Sequence, residues 1–138
     1  MNAYSAAQQY QQVNVRSSME DASPHRLIQM LFEGALERIA QAKGCLARGS
    51  FVQKSERIAK AVNIVQGLQG SLSDTEGGEL TANLDELYDY VIRTLIQANR
   101  SNDESKLDEC ARLLGEIKSS WDQISSLPAE PPVPEAYS

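Results

Sequence analysis

Apolar residues along this chain recur at the three- and four-residue spacing of helices, and nothing alternates with period two over a useful length, so a sheet is not expected. Ser23-Pro24 is a helix start, a capping hydroxyl followed by proline where its missing N–H does no harm. From there Leu27, Ile28, Leu31, Ala35, Ile39, Ala42 and Leu46 mark one face of a first helix, and Phe32 and Leu36 widen it. Gly44, Gly49 and Ser50 signal a turn. A second helix is expected from Phe51 to Leu72, opened by the capping-box pattern of Ser50 and Gln53. Phe51, Ile58, Ala61, Val62, Val65, Leu68 and Leu72 line its apolar face, whereas Lys54, Glu56, Arg57 and Lys60 read as solvated. The stretch from Ser73 to Gly78 is the longest internal turn signal. A third helix follows to Asn99, and a fourth from the Ser101/Glu104 capping box to Ser126, the latter carrying Leu107, Cys110, Ala111, Leu114, Ile117, Trp121 and Ile124.

The third helix carries more apolar surface than one seam requires. Leu84, Leu87, Tyr88, Val91 and Leu95 make a core-facing stripe, and Ile92 and Ile96 extend it to roughly half the circumference. A second arc needs a second partner, either within the chain or outside it. Residues 1–22 read as an arm, in which Ala3, Ala6, Ala7, Tyr10 and Val13 recur at helical spacing but cannot form a stable helix without a surface to lie on. The expected architecture is all-α: an antiparallel up-down-up-down four-helix bundle over residues 23–127, with a short N-terminal helix or cap. Residues 128–138, rich in proline, are expected to be a flexible tail.

Composition narrows the chemistry. The formal charge of -6 argues against a general nucleic-acid binder, and no apolar run is long enough for a membrane span or shaped like a secretory signal. Cys45 and Cys110 are too few and too far apart for a disulfide framework or a CxxC site, and both fall on apolar faces, as expected of buried thiols in a reducing cytoplasm. The single histidine, His25, has no second imidazole or Glu-x-x-His partner, which excludes a di-iron bundle. A histidine phosphotransfer bundle would expose its histidine midway along a helix, not in a first turn. Pairs such as Asp89 with Arg93 are ordinary i,i+4 contacts, and Gly77-Gly78 is not part of a phosphate loop. The expectation is a non-enzyme without metal or cofactor, acting by recognition. A bundle that associates with itself through the third helix, as a weak homodimer, is the alternative.

The string from Leu87 to Asn99, preceded by Gly77-Gly78-Glu79-Leu80 and Asn83-Leu84, resembles the FliS family of flagellar secretion chaperones. Pro24, Leu27-Ile28, Met30-Leu31 and Gly34-Ala35 match in the first helix and Trp121 in the fourth, and Tyr10 and the proline-rich end extend the likeness over essentially the whole chain. Phe32 departs from a common tyrosine, and Thr94 from a frequent second arginine beside Arg93. The resemblance implies a cytoplasmic chaperone that binds the C-terminal region of flagellin, prevents premature polymerisation and delivers it to the export gate. Docking would displace the N-terminal cap. The expected groove comprises Ile64 and Leu68, then Tyr88, Ile92, Leu95, Ile96 and Asn99, then Leu113 and Ile117, with Tyr10 and Val13 as the arm's competing plug; Asn99 could equally be a helix-end residue.

Overall fold

The computed structural model describes residues 22–72 and 78–125. The arm with Tyr10 and Val13, the turn from Ser73 to Gly77 and the proline-rich tail lie outside the described residues. Four helices, α1 (Pro24–Ala47), α2 (Phe51–Ser71), α3 (Glu79–Ser101) and α4 (Glu104–Ser125), follow one another, and the described residues contain no strand. Successive helices pack against each other and α4 closes back onto α1, which makes an all-α antiparallel bundle. The antiparallel sense shows in its cross-links: Gln69 on α2 meets Asp85 and Asp89 on α3, Tyr90 meets Glu109, and His25 at the start of α1 meets Trp121 near the end of α4.

The core is the four apolar stripes turned inward. Leu31, Ala35, Ile39 and Ala42 on α1, Ile58, Ala61, Val65 and Leu68 on α2, Val91, Leu95 and Ala98 on α3, and Leu107, Cys110 and Leu114 on α4 are all buried. Each buried leucine-sized side chain contributes roughly 1.5–3 kcal/mol through removal from water. Polar pairs then fix how α1 lies along α4. Lys43 reaches Asp108 at 2.5 Å, and Gln29 donates to Asp122 at 2.7 Å. The hydrogen bond to Asp108 holds the exposed Lys43 ammonium above its ordinary pKa, and the bonds from Lys118 and Gln29 hold Asp122 below the usual carboxylate range. At the same seam the rings of His25 and Trp121 stack with centroids 4.6 Å apart. Trp121 Nε1 donates to the His25 carbonyl at 3.1 Å, and His25 Nε2 donates to the Trp121 carbonyl at 2.8 Å.

Helix ends explain where the sequence reading holds and where it fails. Ser23 Oγ accepts from Arg26 N at 3.0 Å, as the Ser-Pro start predicts. Ser50 makes no side-chain cap bond, and Gln53 turns its carbonyl oxygen toward Cys45 Sγ, so the expected box there is absent. The turn is set instead by Gly49 at φ +77°, with Ser50 N donating back to the Cys45 carbonyl at 2.9 Å. The Ser101/Glu104 box is also overturned. Helix α3 runs on through Ser101, whose Oγ donates back to the Gln97 carbonyl at 2.8 Å, and Asn102 stops it in the left-handed region at φ 51°. Asp103 then opens α4, its carboxylate accepting from Ser105 N at 3.0 Å and Ser105 Oγ at 2.6 Å. Those bonds hold its pKa below the usual carboxylate range.

These two assignments separate in a denaturation experiment. Asp103→Ala is expected to lower stability by about 1 kcal/mol through loss of the cap, whereas Ser101→Ala should change it by less than about 0.5 kcal/mol. Urea midpoints of both variants check this, and equal effects would contradict the assignment.

Candidate functional site

The first turn of α2 places Lys54 inward, against its expected solvated position. Its side chain is 3% exposed, its Nζ donates to the Asn99 carbonyl at 2.9 Å and to Asn102 Oδ1, and it lies 5.7 Å from the centroid of the Phe51 ring. A cation at the last carbonyls of α3 complements the negative end of that helix. One place over, Ser55 Oγ donates to Asn99 Oδ1 at 2.9 Å. Asn99 therefore ties both its carbonyl and its side chain to α2.

Asp85, Asp89, Ile92, Ile96 and Asn99 recur at four- and three-residue steps and share the side of α3 that faces α2, because Asp85, Asp89 and Asn99 all bond to α2 residues. Val52, Ser55, Ala59 and Val62 share the answering side of α2 with Gln69 by the same spacing. Along this seam Phe51 is 51% exposed, Val52 76% and Ile96 43%, Ala59 is exposed, and Val62 and Ile92 are half-buried against the core. Phe51, Val52, Ser55, Glu56 and Ala59 line a shallow depression at its α2 edge. The far end is polar, where Gln69 Nε2 bridges Asp85 and Asp89 at 3.0 and 2.8 Å. The result is an apolar strip, and the other large apolar side chains exposed among the described residues, Leu80, Tyr90 and Ile124, lie apart from it.

The nine groove residues expected from sequence do not form one surface. Ile64, Leu68, Tyr88 and Leu95 are buried members of the core, because they sit nearer the centre of their stripes than a helical wheel alone resolves. Ile92, Ile96 and Asn99 lie on the α2–α3 side. Leu113 and Ile117 are half-buried on the side of α4 that carries Glu109, where Tyr90 Oη donates to Glu109 Oε2 at 2.5 Å, and so belong to the α3–α4 seam. That bond raises the Tyr90 pKa. Phe51, read as a core residue, is corrected to a surface one, and Val52 and Ala59 were missed. A signal for Val52 and Ala59 existed, since both stand at helical spacing from Val62.

Reaction chemistry finds little to use here. No group of three or more His, Cys, Asp or Glu among the described residues could hold a metal ion. His25 commits Nε2 to the Trp121 carbonyl, the atom a phosphotransfer reaction would need free. Burial pushes the Cys110 thiol up to about 12, and its Sγ donates to the Val91 carbonyl at 3.7 Å, so it is a poor nucleophile. Because that folded value lies above the ordinary 9.0, the stability it contributes is complete below about pH 9 and is lost as the pH rises through about 12. No helix among the described residues is long and apolar enough to cross a membrane.

Comparison with known sequences gives this bundle a family. The family model described as flagellar protein FliS matches residues 6–128. The chain belongs to the FliS family. It is 51% identical over 125 residues to the flagellar secretion chaperone FliSB of Pseudomonas aeruginosa, covering 91% of this chain and 99% of that one. It is 45% identical over 126 residues to FliS of Salmonella typhimurium, covering 91% and 93%. FliS of Vibrio cholerae is 44% identical over 117 residues, covering 85% and 86%. All three relatives are named flagellar secretion chaperones.

The seam depends on Lys54. Lys54→Ala is expected to destabilise the bundle by about 2–3 kcal/mol, because it leaves the α3 terminal carbonyls and Asn102 without their charged donor. Chemical denaturation measures this, and a loss below about 0.5 kcal/mol would show that the buried ammonium is not what holds the two helices together.

Proposed function

We propose that this FliS-family protein works in the cytoplasm as an export chaperone, without enzymatic activity or cofactor, that binds the C-terminal region of flagellin and keeps it from polymerising before export. Delivery to the export gate is the second half of the proposal. The observation that supports client binding most is the α2–α3 strip, where Phe51, Val52, Ala59 and Ile96 stay exposed beside half-buried Val62 and Ile92. An apolar surface of that form suits an amphipathic or partly extended segment that becomes ordered as it docks. Such coupled folding typically buries about 1,000–3,000 Å² and costs about 2–5 kcal/mol for ordering, which favours a long seam over a compact pocket. Tyr10 and Val13 enter as residues of an arm that covers apolar surface until the client arrives, and Leu113 and Ile117 as a second contact area beyond α3.

Titration calorimetry with a flagellin C-terminal segment tests the reading. Val52→Asp and Ile96→Asp are expected to weaken binding at least tenfold each, about 1.4 kcal/mol or more, with unchanged helical circular dichroism because both side chains already meet water. Wild-type affinity in both variants would remove the strip from the client site. In the same assay, deletion of residues 1–17 should preserve helicity and alter affinity, upward where the arm competes and downward where it touches the client. An unchanged affinity ends the plug proposal.

A further inference from the structure

The opposite side of α2 carries a different surface. A cleft of about 450 Å³ runs between α1 and α2, lined among others by Glu37, Gln41, Cys45, Arg48, Gln53 and Arg57. Its polar groups are nearly all donors. Arg38, 7% exposed, donates from Nη1 to Gln41 Oε1 at 3.0 Å, so the acceptor of that amide is consumed and its N–H groups remain. Gln53 is arranged the same way, its Oε1 turned toward Cys45 Sγ at 4.0 Å. Arg48 has Nη2 against Cys45 Sγ at 3.5 Å, Arg57 makes no hydrogen bond or ion pair among the described residues, and Arg38 Nε is buried without a partner. Glu37 is the one carboxylate on the lining, and it is itself engaged. Two guanidiniums and two amide donors thus line one cleft, with Arg38 buried behind Gln41, on a protein of net charge -6.

We propose that this cleft is a second docking site, for an extended acidic segment of a partner protein. Planar guanidinium forks are suited to carboxylates, and a surface whose donors outnumber its acceptors, with Glu37 as its one carboxylate, favours an anionic ligand. The donors are spread out. Gln41 and Arg48 are two helical turns apart, about 10 Å, which an extended peptide covers in about three residues. A single compact oxyanion cannot reach both ends, so carboxylates repeated along a chain fit better than phosphate. Gln53 and Arg57 lie on the side of α2 that faces α1, away from Val52, Ser55 and Ala59, so a ligand here leaves the apolar strip open. The site is independent of whether that strip binds flagellin.

Fluorescein-labelled decaglutamate, followed by anisotropy at low ionic strength, provides the probe. The protein's net charge repels it, so only a local cluster of cations can hold it. Saturable binding is expected to weaken at least tenfold in the Arg48→Glu/Arg57→Glu double variant, to persist in Arg93→Glu on α3, and to survive saturation with the flagellin C-terminal segment. Should the double reversal lose helical circular dichroism, Arg48→Gln/Arg57→Gln takes its place with a smaller loss. No saturable binding, equal loss in Arg93→Glu, or full displacement by millimolar inorganic phosphate would overturn the proposal. Flagellin-segment binding, measured on the same double variant, reports on the apolar strip separately.

Discussion

A buried ammonium needs full compensation, and that requirement organises the half of the bundle where α2 meets α3. Removing the Lys54 charge from water is tolerable because the α3 terminal carbonyl at Asn99 and the Asn102 side chain replace its hydration. The arrangement works only if α3 ends there, and the left-handed turn at Asn102 makes it end there. One lysine thereby links the start of α2, the stop of α3 and the turn into α4. With Lys54 and Ile58 directed inward, Val52 and Ala59 face out toward the seam, and Asn99 holds Ile92 and Ile96 beside them. The exposed strip follows from the same geometry that stabilises the fold.

At the opposite end of the bundle the closure is aromatic. His25 and Trp121 exchange hydrogen bonds between ring nitrogens and main-chain carbonyls while their rings stack. The His25 carbonyl lies in the first turn of α1 and the Trp121 carbonyl near the end of α4, and a carbonyl keeps a second lone pair beyond its intrahelical bond. Each ring therefore supplies a donor that the other helix end can use. Residues 96 positions apart in sequence are held together this way, which returns α4 to α1 and completes the ring of helices.

Much of this was legible in the sequence, and the failures have physical causes. The interior stripes of all four helices obey the periodicity, because burial of leucine, isoleucine and valine dominates the choice of face. The start at Ser23-Pro24 is legible too, since it depends on neighbours in sequence alone. Ser101 and Glu104 looked like a cap because the pattern is local, yet Asn102 and Asp103 serve better, one tolerating positive φ and the other presenting a carboxylate to Ser105. Lys54 was misplaced for a different reason. Its partners, Asn99 and Asn102, are 45 and 48 residues away, and no helical wheel contains them. Ile64, Leu68, Tyr88 and Leu95 read as groove residues because a core and a groove demand the same apolar character, and the neighbours that enclose them come from other helices. The family, by contrast, was legible from the α3 string, because the resemblance compares many positions together.

Helix α2 serves as a wall between two surfaces of opposite character. Toward α3 it presents valine and alanine, and toward α1 it presents amide and guanidinium donors. A partner that becomes ordered on the apolar side gains chiefly by excluding water, with little demand on charge, whereas a partner on the donor side gains by electrostatics that salt weakens. The two contributions therefore respond to different conditions. Between the two surfaces lie Ile58, Ala61 and Val65, a closely packed layer with no alternative arrangement in view. A rigid wall transmits little, so occupancy of one side is expected to leave affinity on the other nearly unchanged. Coupling between them would require α2 to shift as a body, and the Lys54 ammonium on the end of α3 opposes that motion.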